Sequence, residues 1–347
     1  MELRNKIMKR DVIILVLILL LAGCQKDSPS PQKADYSYSF SKVWNDYDRN
    51  YSYFVHKNIN WLDMKNTYQP MVAEEITYDF FIDEVLAPML TDLRDIHVRL
   101  TNKYGNTITL YKPEKDVNYK YDDDFYTNYI TNNISTLSGS TFIGKVINNL
   151  CYIIISSWGN MDVSMSEFLH YFDTNQEIFN AFKGLIIDVR PNGGGQESLA
   201  RNVAGRFTLT ENLYEFRKNR NGTDHNDFTP LQPVYFSSSG NWQYTKPIAV
   251  LTGGQCASSN ESFILMMSTL SHVIIIGDTT RGSSANPKDY NLEDGTTYSI
   301  SSWVAYKPDT TILEDIGIFP DIAIDASESI IDGRDMVLEK AIEILQQ

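Results

Sequence analysis

Two glycine-rich segments carry the residues best suited to chemistry. The first, GGQCASSNESFILMM from Gly253 to Met267, places Cys256, Ser258 and Ser259 just before an apolar, helix-forming run. A side chain there lies at the positive end of the helix dipole, beside backbone N–H groups without intrahelical partners. This position suits a nucleophile, and it also suits an ordinary helix cap. Ser258 and Glu261 have the spacing of a capping box, so the local pattern by itself favours the cap.

The second segment is DVRPNGGGQ, from Asp188 to Gln196. Consecutive glycines allow backbone N–H groups to turn outward together and hold an anion, either a phosphate or the oxyanion of acyl transfer. A tight turn explains the same glycines equally well. Neither a Walker motif nor a GxGxxG motif is present, so a nucleotide is not indicated. We expect Asp188 and Arg190 to pair beneath the loop.

Both segments follow apolar strands in a part of the chain where strands and helices alternate. From residue 145 onward the order is a buried strand (NLCYIIISSW), a helix ending at Gly184, the strand before DVRPNGGGQ, a helix, the strand IAVL, a helix and the strand VIIIGDTT. Such alternation predicts an α/β fold whose sheet is covered on both faces. Ligands of such sheets bind at the carboxyl ends of the strands, where both segments lie.

The region before this α/β part differs in character. Residues 37–100 are predicted to be mostly helical, with a stripe of aromatic side chains at steps of three and four: Phe40, Trp44, Tyr47, Tyr51 and Phe54. Core packing is the expected role of such a stripe. Residues 101–144 are polar and aromatic, and we expect connecting strands and loops there. They are fewer than most independent domains contain.

The N-terminus has the pattern of an export signal. A basic segment ends at Arg10, an apolar run of 11 residues follows from Val12 to Ala22, and the run ends in LAGC at Cys24. The run is shorter than the roughly 20 residues of a membrane-spanning helix. LAGC resembles a bacterial lipobox, which implies a signal peptide over residues 1–23 and lipidation of Cys24. Residues 24–36 are predicted to be a flexible tether. The expected location is the cell envelope, with the lipid in a bacterial membrane, and we expect this to be the outer membrane.

Composition excludes several classes of partner. The 347 residues carry a formal net charge of −14, which argues against nucleic acid and anionic lipid head groups as partners. Besides Cys24, only Cys151 and Cys256 are present, without a CxxC pair or a histidine at ligand spacing. We therefore expect no metal site and no cofactor. Buried free thiols are a simpler interpretation of the two cysteines than a disulfide between them.

Four blocks in order resemble one family. GLIIDVRPNGGG, VLTGGQCASSNESF, IGDTTRG and EDIGIFPD resemble the core of the C-terminal processing (tail-specific) and tricorn-core serine peptidases. The resemblance covers roughly residues 145–325 and extends loosely to the helical region. It implies a ClpP/crotonase-like catalytic core over residues 145–347, with a smaller helical N-terminal domain over residues 37–100.

The resemblance also assigns roles to individual residues. CASSNE matches the nucleophile motif of the family, with Ser258 as the nucleophile. The backbone N–H groups of Ser259 and Gly194 are then the donors of the oxyanion hole. The segment DIHV resembles the motif that supplies the base in tricorn-like members, which makes His97 the base. EDIGIFPD supplies Glu314, expected to orient or polarise His97.

Three departures from the family favour its tricorn-like branch or weaken the expected relay. Ser283 occupies the place of the lysine used by the processing peptidases, and Ile96 precedes His97 where tricorn-like members have serine. The interval 101–144 is too short for the PDZ domain that many relatives insert. The resulting prediction is a serine endopeptidase that cleaves exported peptides or unfolded proteins through an acyl-enzyme on Ser258. The alternative is a weak or inactive crotonase-like protein that acts as a binding or scaffold lipoprotein.

Overall fold

A computed structural model describes residues 35–72, 75–122, 125, 128–136, 141–146, 149–159 and 163–347. The predicted signal peptide, the predicted lipidation site Cys24 and nearly all of the predicted tether lie outside these residues. Within the described part, none of the helices has both the length and the apolar character needed to cross a membrane.

Helices and strands alternate along most of the chain. The helices are α1 (Tyr36–Asn50), α2 (Trp61–Tyr68), α3 (Tyr78–Phe80, a π-helical Phe81–Leu86 and Ala87–Thr91), α4 (Val163–Thr174), α5 (Gln176–Ala181), α6 (Glu197–Ala204), α7 (Ser259–Ser268) and α8 (Met336–Leu345), with 3-10 turns at Gln69–Val72 and Ala326–Glu328. The strands are β1 (Leu100–Thr101), β2 (Thr107–Ile108), β3 (Ile130–Thr136), β4 (Thr141–Val146), β5 (Leu150–Ile155), β6 (Leu185–Asp188), β7 (Asn212–Asn219), β8 (Gln232–Phe236), β9 (Ile248–Thr252), β10 (Val273–Gly277), β11 (Pro287–Asn291), β12 (Thr297–Ser301), β13 (Trp303–Tyr306), β14 (Ile322–Ala323), β15 (Ile330–Ile331) and β16 (Arg334–Asp335).

The main sheet has seven strands in the order β14-β10-β9-β6-β5-β4-β3. The five strands from β14 to β5 are parallel, and β4 and β3 continue the sheet as an antiparallel hairpin. In the centre, Leu185 pairs with Ile248 and Asp188 with Leu251. Strands β6 and β9 are therefore direct neighbours, and the loops that follow them leave the sheet at the same edge.

Both faces of this sheet are buried, as the continuous apolar strands predict. Alternate side chains of one strand show this: Ile187 packs in a cluster with α6 and α7, whereas Ile186 packs in a second cluster with α8. The two clusters are the core of the α/β part. They fix the strand ends that carry the two glycine-rich segments.

The helical N-terminal region has a third core. Phe40, Tyr47, Tyr51 and Phe54 of the predicted aromatic stripe are buried in it, and the partly buried Trp44 packs against it. Helix α1 ends at Asn50, so the last two members of the stripe lie beyond the helix.

A four-stranded sheet in the order β11-β12-β1-β2 joins this region to the rest of the chain. Its strand β1 follows α3 directly, and its register places Leu100 opposite Tyr298 of β12. Two smaller sheets, β13-β7-β8 and β15-β16, complete the structure as described. The four-stranded sheet is important for the site because β1 begins three residues after His97.

Two local features differ from the sequence analysis. The helix expected to end at Gly184 is broken at Asn175, whose Nδ2 donates to the Tyr171 carbonyl, and the chain is extended at Phe182. In addition, β3 and most of β4 lie in the interval assigned to connecting strands and loops, and they extend the main sheet. The pairing of β4 with β5 and of β3 with β4 depends on contacts that periodicity does not encode.

Candidate active site

Ser258 lies in the turn between β9 and α7. Its φ of 57° and ψ of −132° lie outside the common regions for a residue with a Cβ, so the turn is strained. Two acceptors hold its N–H, the Ser283 carbonyl at 2.7 Å and the Glu261 carboxylate at 3.2 Å. The side chain therefore projects from a fixed turn at the N-terminus of a buried helix.

Exposure separates the three candidate nucleophiles. Cys256 is fully buried, its Sγ lies 3.2 Å from the Val189 carbonyl, and burial raises the pKa of its thiol to about 12. The hydroxyl of Ser259 is enclosed, with no hydrogen-bond partner among the described residues. Ser258 is partly exposed and lines an open cleft. It is the residue of the three that a substrate can reach. Cys151 and Cys256 are both free and buried, which confirms the expectation for the two thiols.

Glu261 is the carboxylate that holds this turn together. It is fully buried, and its two oxygens accept the N–H groups of Ser258, Gly282 and Ser283 and the hydroxyl of Thr280. Burial raises the pKa of Glu261 to about 7, although these hydrogen bonds act to lower it. The role is wider than the expected helix cap, since Glu261 also fixes the segment that faces Ser258.

The glycine loop packs directly against Ser258. A Cβ on Gly194 would lie 2.8 Å from the Cβ of Ser258, and the φ of Gly194 is 113°, so both space and conformation require glycine here. Asn260 of α7 binds the loop through the carbonyls of Val189 and Asn192. The loop and the nucleophile turn therefore form one rigid unit.

The expected oxyanion donors differ in availability. The N–H of Gly194 donates to Asn192 Oδ1 at 2.9 Å, so in this geometry it is not free, in contrast to the sequence analysis. Gly193 lines the cleft and Ser259 begins α7, and in the described part of the chain neither N–H has an acceptor. Gly193 is thus a better candidate for the second donor than Gly194. The reason is the Asn192 side chain, which turns back onto the loop.

Asp188 and Arg190 pair beneath the glycine loop, as predicted. Arg190 is fully buried and binds Asp188 at 2.6 Å and Asp335 at 2.7 Å. Asp335 is also the N-cap of α8, where its side chain accepts the N–H of Leu338. The guanidinium thus joins the strand that carries the loop to the last helix.

His97 reaches the same cleft from the helical region. It is 7% exposed and lines the cleft together with Ser258. Its Nδ1 lies 3.0 Å from the Oγ of Ser283, and its backbone N–H donates to Asp95 Oδ1 at 2.8 Å. When Nδ1 carries the proton and donates it to Ser283, Nε2 is left as the basic nitrogen.

Asp95 is the carboxylate nearest the imidazole. Its Oδ1 lies 3.7 Å from Nδ1 of His97, and its Oδ2 accepts the hydroxyl of Ser301 at 2.6 Å. Burial acts to raise the pKa of Asp95, but the interactions with His97 and Ser301 outweigh burial and lower the pKa. A negative charge therefore lies behind the imidazole.

Glu314 lies close to the site but does not bind His97 itself. Among the described residues its hydrogen bonds and ion pairs are with Lys57 Nζ at 2.9 Å and with the N–H of Ser284 at 3.2 Å. Burial, and after it the Asp95 carboxylate, hold the pKa of Glu314 well above its usual range, although the Lys57 ammonium opposes them. An effect of Glu314 on the relay, as expected from the sequence, therefore needs a connecting group, because Lys57 binds one of its oxygens and the Ser284 N–H the other.

The sequence analysis missed two residues that contact His97. Ser283 was noted only as the replacement of a lysine, and Asp95 only as part of the DIHV motif. The motif was the available signal for Asp95, because its spacing puts the carboxylate within reach of the His97 backbone. Ser283 gave no such signal, since it lies 186 positions from His97.

The cleft beside Ser258 has a volume of about 550 Å³. Its walls come from both the helical region and the α/β part, and they are largely polar: Ile96, His97, Arg99, Gly193, Gly195, Gln196, Glu197, Ser198, Ser258, Ser259, Ser262, Ser284, Ala285, Asn286, Pro287 and Trp303. A second cleft of about 390 Å³ shares Ile96, Arg99 and Gly193 with the first and is also lined by Ala257, the residue before Ser258. The two clefts therefore adjoin near the nucleophile turn.

Comparison with known proteins places this fold and site in a family. The profile of peptidase family S41 matches residues 149–324, slightly more than half of the chain. The chain therefore belongs to peptidase family S41, which is a family of proteases and thus of hydrolases.

Individual relatives agree with this assignment. The carboxy-terminal processing protease CtpB of Bacillus subtilis (strain 168) is 25% identical over 142 residues, which are 41% of this chain and 28% of that protein. The match thus spans little more than a quarter of the length of that relative.

Solved structures confirm the predicted α/β class, with a helical N-terminal region beside a mostly parallel sheet. A candidate peptidase from Parabacteroides merdae ATCC 43184 superposes with a TM-score of 0.76 at 27% identity, covering 90% of this chain and 98% of that one. The photosystem II D1 C-terminal processing protease superposes with a TM-score of 0.55 at 15% identity, covering 90% and 98%.

Proposed function

We propose that this protein is a serine endopeptidase that cleaves exported peptides or unfolded protein segments through an acyl-enzyme on Ser258. The observation that carries the proposal is that one cleft is lined both by a strained, partly exposed serine at a helix N-terminus and by a histidine. Helix dipole and free N–H groups favour negative charge at that point. Membership of family S41 supports the same reaction class.

In the proposed reaction the hydroxyl oxygen of Ser258 attacks the scissile carbonyl carbon, and His97 takes the hydroxyl proton. The N–H groups of Gly193 and Ser259 hold the oxyanion of the tetrahedral intermediate. Collapse of the intermediate breaks the C–N bond, and His97 returns the proton to the leaving amine. Water then attacks the acyl-enzyme by the same route, which releases the carboxylate product and restores Ser258.

Turnover of an unfolded protein tests the proposal. We expect the protein to degrade casein, and we expect Ser258→Ala and His97→Ala each to lose at least about 1,000-fold of kcat/KM. Ser268→Ala, on the far end of α7, is the matched control and should be as active as wild type. Casein turnover that persists in Ser258→Ala would contradict the assignment of the nucleophile.

A second candidate is a weak or inactive binding lipoprotein of the same fold. Its support is the position of Glu314, which binds Lys57 and Ser284 rather than His97. If this candidate is right, the wild type turns over casein no faster than Ser258→Ala. Wild type and Ser258→Ala would both still bind casein, since the cleft remains open in the two proteins.

We further propose that the mature protein is anchored to a bacterial membrane, on the envelope side, by a lipid on Cys24. The support is the sequence LAGC after an apolar run of signal-peptide length. Metabolic labelling with radioactive palmitate in an expressing bacterium tests this. We expect label in wild type and none in Cys24→Ala, and labelling that survives the substitution would contradict the anchor.

A further inference from the structure

Lys57 is a buried cation close to the active site, and the proposed reaction does not use it. Its side chain is 2% exposed, and its ammonium binds the Arg94 carbonyl at 3.0 Å, Glu314 Oε1 at 2.9 Å and Asp315 Oδ1 at 2.8 Å. Burial by itself would lower the pKa of Lys57, but Glu314 and Asp315 more than offset burial and raise it. Lys57 is therefore a fixed positive charge with all three donors engaged.

One of these bonds holds the turn that carries His97. The Arg94 carbonyl immediately precedes Asp95, and Arg94 Nη2 donates back to the Lys57 carbonyl at 2.6 Å. Arg94 has a φ of 52°, a left-handed conformation that a side chain rarely adopts without support. The reciprocal bonds supply that support, so the start of the turn depends on Lys57.

The other bond reaches the segment that binds the His97 ring. The second oxygen of Glu314 accepts the N–H of Ser284 at 3.2 Å, and the hydroxyl of Tyr53 donates to the Ser284 carbonyl. Ser283, one residue earlier, lies 3.0 Å from Nδ1 of His97. Lys57 and Glu314 together thus span from the His97 turn to the Ser283 segment.

We propose that Lys57 is a positioning residue of the active site, which locks the His97 turn to the Ser283 segment through Glu314 and balances the carboxylates behind the imidazole. This inference rests on the proposed serine peptidase function. It gives Glu314 an indirect role, exerted through Lys57 and Ser284, in place of a direct contact with His97.

The charge of Lys57 predicts an effect on the pH dependence of labelling that a purely structural role would not have. The charged groups near the imidazole are Asp95 in its own turn, the cluster of Lys57, Glu314, Asp315 and His56 beyond it, and Glu261, which binds the Ser283 N–H. Arg99 and Glu197 line the same cleft as His97. Removing the cation of Lys57 makes this surrounding more negative and favours the protonated imidazole. Glu314→Gln changes the charge less, because burial holds the pKa of Glu314 well above its usual range.

The test is the pH dependence of covalent labelling by a fluorophosphonate, measured as a second-order rate constant between pH 5 and 9. In Lys57→Met we expect the plateau, the labelling rate at high pH, to be roughly 10- to 100-fold lower than in wild type. We expect the acid limb, the range in which the rate rises with pH, to lie about half a pH unit higher. In Glu314→Gln, which retains an acceptor for the Ser284 N–H, we expect a smaller loss of plateau rate than in Lys57→Met and an acid limb that moves less. The double variant should label within about threefold of Lys57→Met, because the two residues act through one connection.

Two controls make the result specific. Lys42→Met removes another lysine of the helical region, paired with Asp46 on α1, and should label as wild type. With a peptide substrate, Lys57→Met should lower kcat while KM changes less than about twofold, because Lys57 does not line the cleft.

A plateau rate and an acid limb of Lys57→Met that both match wild type would overturn the inference. Should Lys57→Met fail to fold, Glu314→Gln decides alone through its plateau rate, and a plateau equal to that of wild type overturns the inference. A labelled wild type with an unchanged Lys57→Met contradicts only the role of Lys57. A wild type that does not label at all contradicts the proposed function and this inference together.

Discussion

The Oγ of Ser283 lies 3.0 Å from Nδ1 of His97, and the carbonyl of the same residue accepts the N–H of Ser258 at 2.7 Å. One residue thus contacts both members of the proposed nucleophile and base pair. By the family resemblance, Ser283 occupies the place of the lysine that the processing peptidases use. We expect its role in this chain to be orientation of the imidazole.

Ser283→Ala tests this orientation. The variant leaves Nδ1 of His97 without its nearest partner, and loss of a buried hydrogen bond costs about 1–3 kcal/mol. We expect kcat/KM for a peptide to fall roughly 10- to 100-fold, mostly in kcat, since the substrate-lining residues are unchanged. Steady-state kinetics measure this, with Ser268→Ala as the control. A loss confined to KM would point to substrate binding and contradict the orientation role.

Glu261 should make stability depend on pH. Its pKa is about 7 in the folded protein against an ordinary value of 4.5. Between these values the folded protein holds a proton that the unfolded chain releases, so stability falls as the pH rises from about 4.5 to 7. The loss is on the order of 3 kcal/mol.

Urea unfolding of wild type and Glu261→Gln at several pH values measures this effect. Relative to the variant, whose side chain cannot ionise, wild type should lose stability across that window and change little above pH 8. Glu343→Gln, an exposed carboxylate paired with Lys340, should run parallel to wild type. Parallel curves for Glu261→Gln would show that Glu261 does not titrate there.

Gly194→Ala should disturb the nucleophile directly. The new Cβ would lie 2.8 Å from the Cβ of Ser258, at a φ of 113° that costs a side chain about 1–3 kcal/mol. We expect a lower melting temperature and at least a 100-fold loss of fluorophosphonate labelling. Gly193→Ala is the stability control, since no atom lies within 4 Å of its Cβ position. Equal melting temperatures for the two variants would contradict the packing argument.

Arg190→Met should destabilise the fold. The substitution leaves Asp188 and Asp335 buried without their cation, and breaking a buried pair in this way costs about 3–5 kcal/mol. Arg334→Met removes a cation from the exposed pair with Glu339 and should cost less than about 1 kcal/mol. Urea unfolding compares the two, and similar losses would contradict the structural role of Arg190.

Much of the site could be predicted from local sequence. Apolar strands ending in glycine-rich loops located Ser258 and the glycine loop, because the carboxyl ends of neighbouring parallel strands must meet. The DIHV motif and the order of the four blocks selected His97 and favoured Ser258 over Cys256. The pairing of Asp188 with Arg190 followed from two opposite charges beside a buried strand.

The connections between distant segments could not be predicted in the same way. The contact of His97 with Ser283 depends on how the helical region packs on the α/β part, and neither periodicity nor spacing encodes that packing. Glu314 was expected to orient or polarise the relay, but no local pattern indicated that the buried Lys57 binds one of its oxygens. Similarly, the sequence indicates a free Gly194 N–H, but in the structure the Asn192 side chain accepts it.

The central claim is that Ser258 is a nucleophile activated by His97, and peptide mapping of the fluorophosphonate adduct tests it most directly. Protein labelled at neutral pH is digested and the modified residue is identified by mass spectrometry. We predict a single adduct on Ser258 in wild type, none in Ser258→Ala, and labelling at least about 100-fold slower in His97→Ala. An adduct on Ser259 or Ser283, or wild-type labelling that His97→Ala leaves unchanged, would contradict the account.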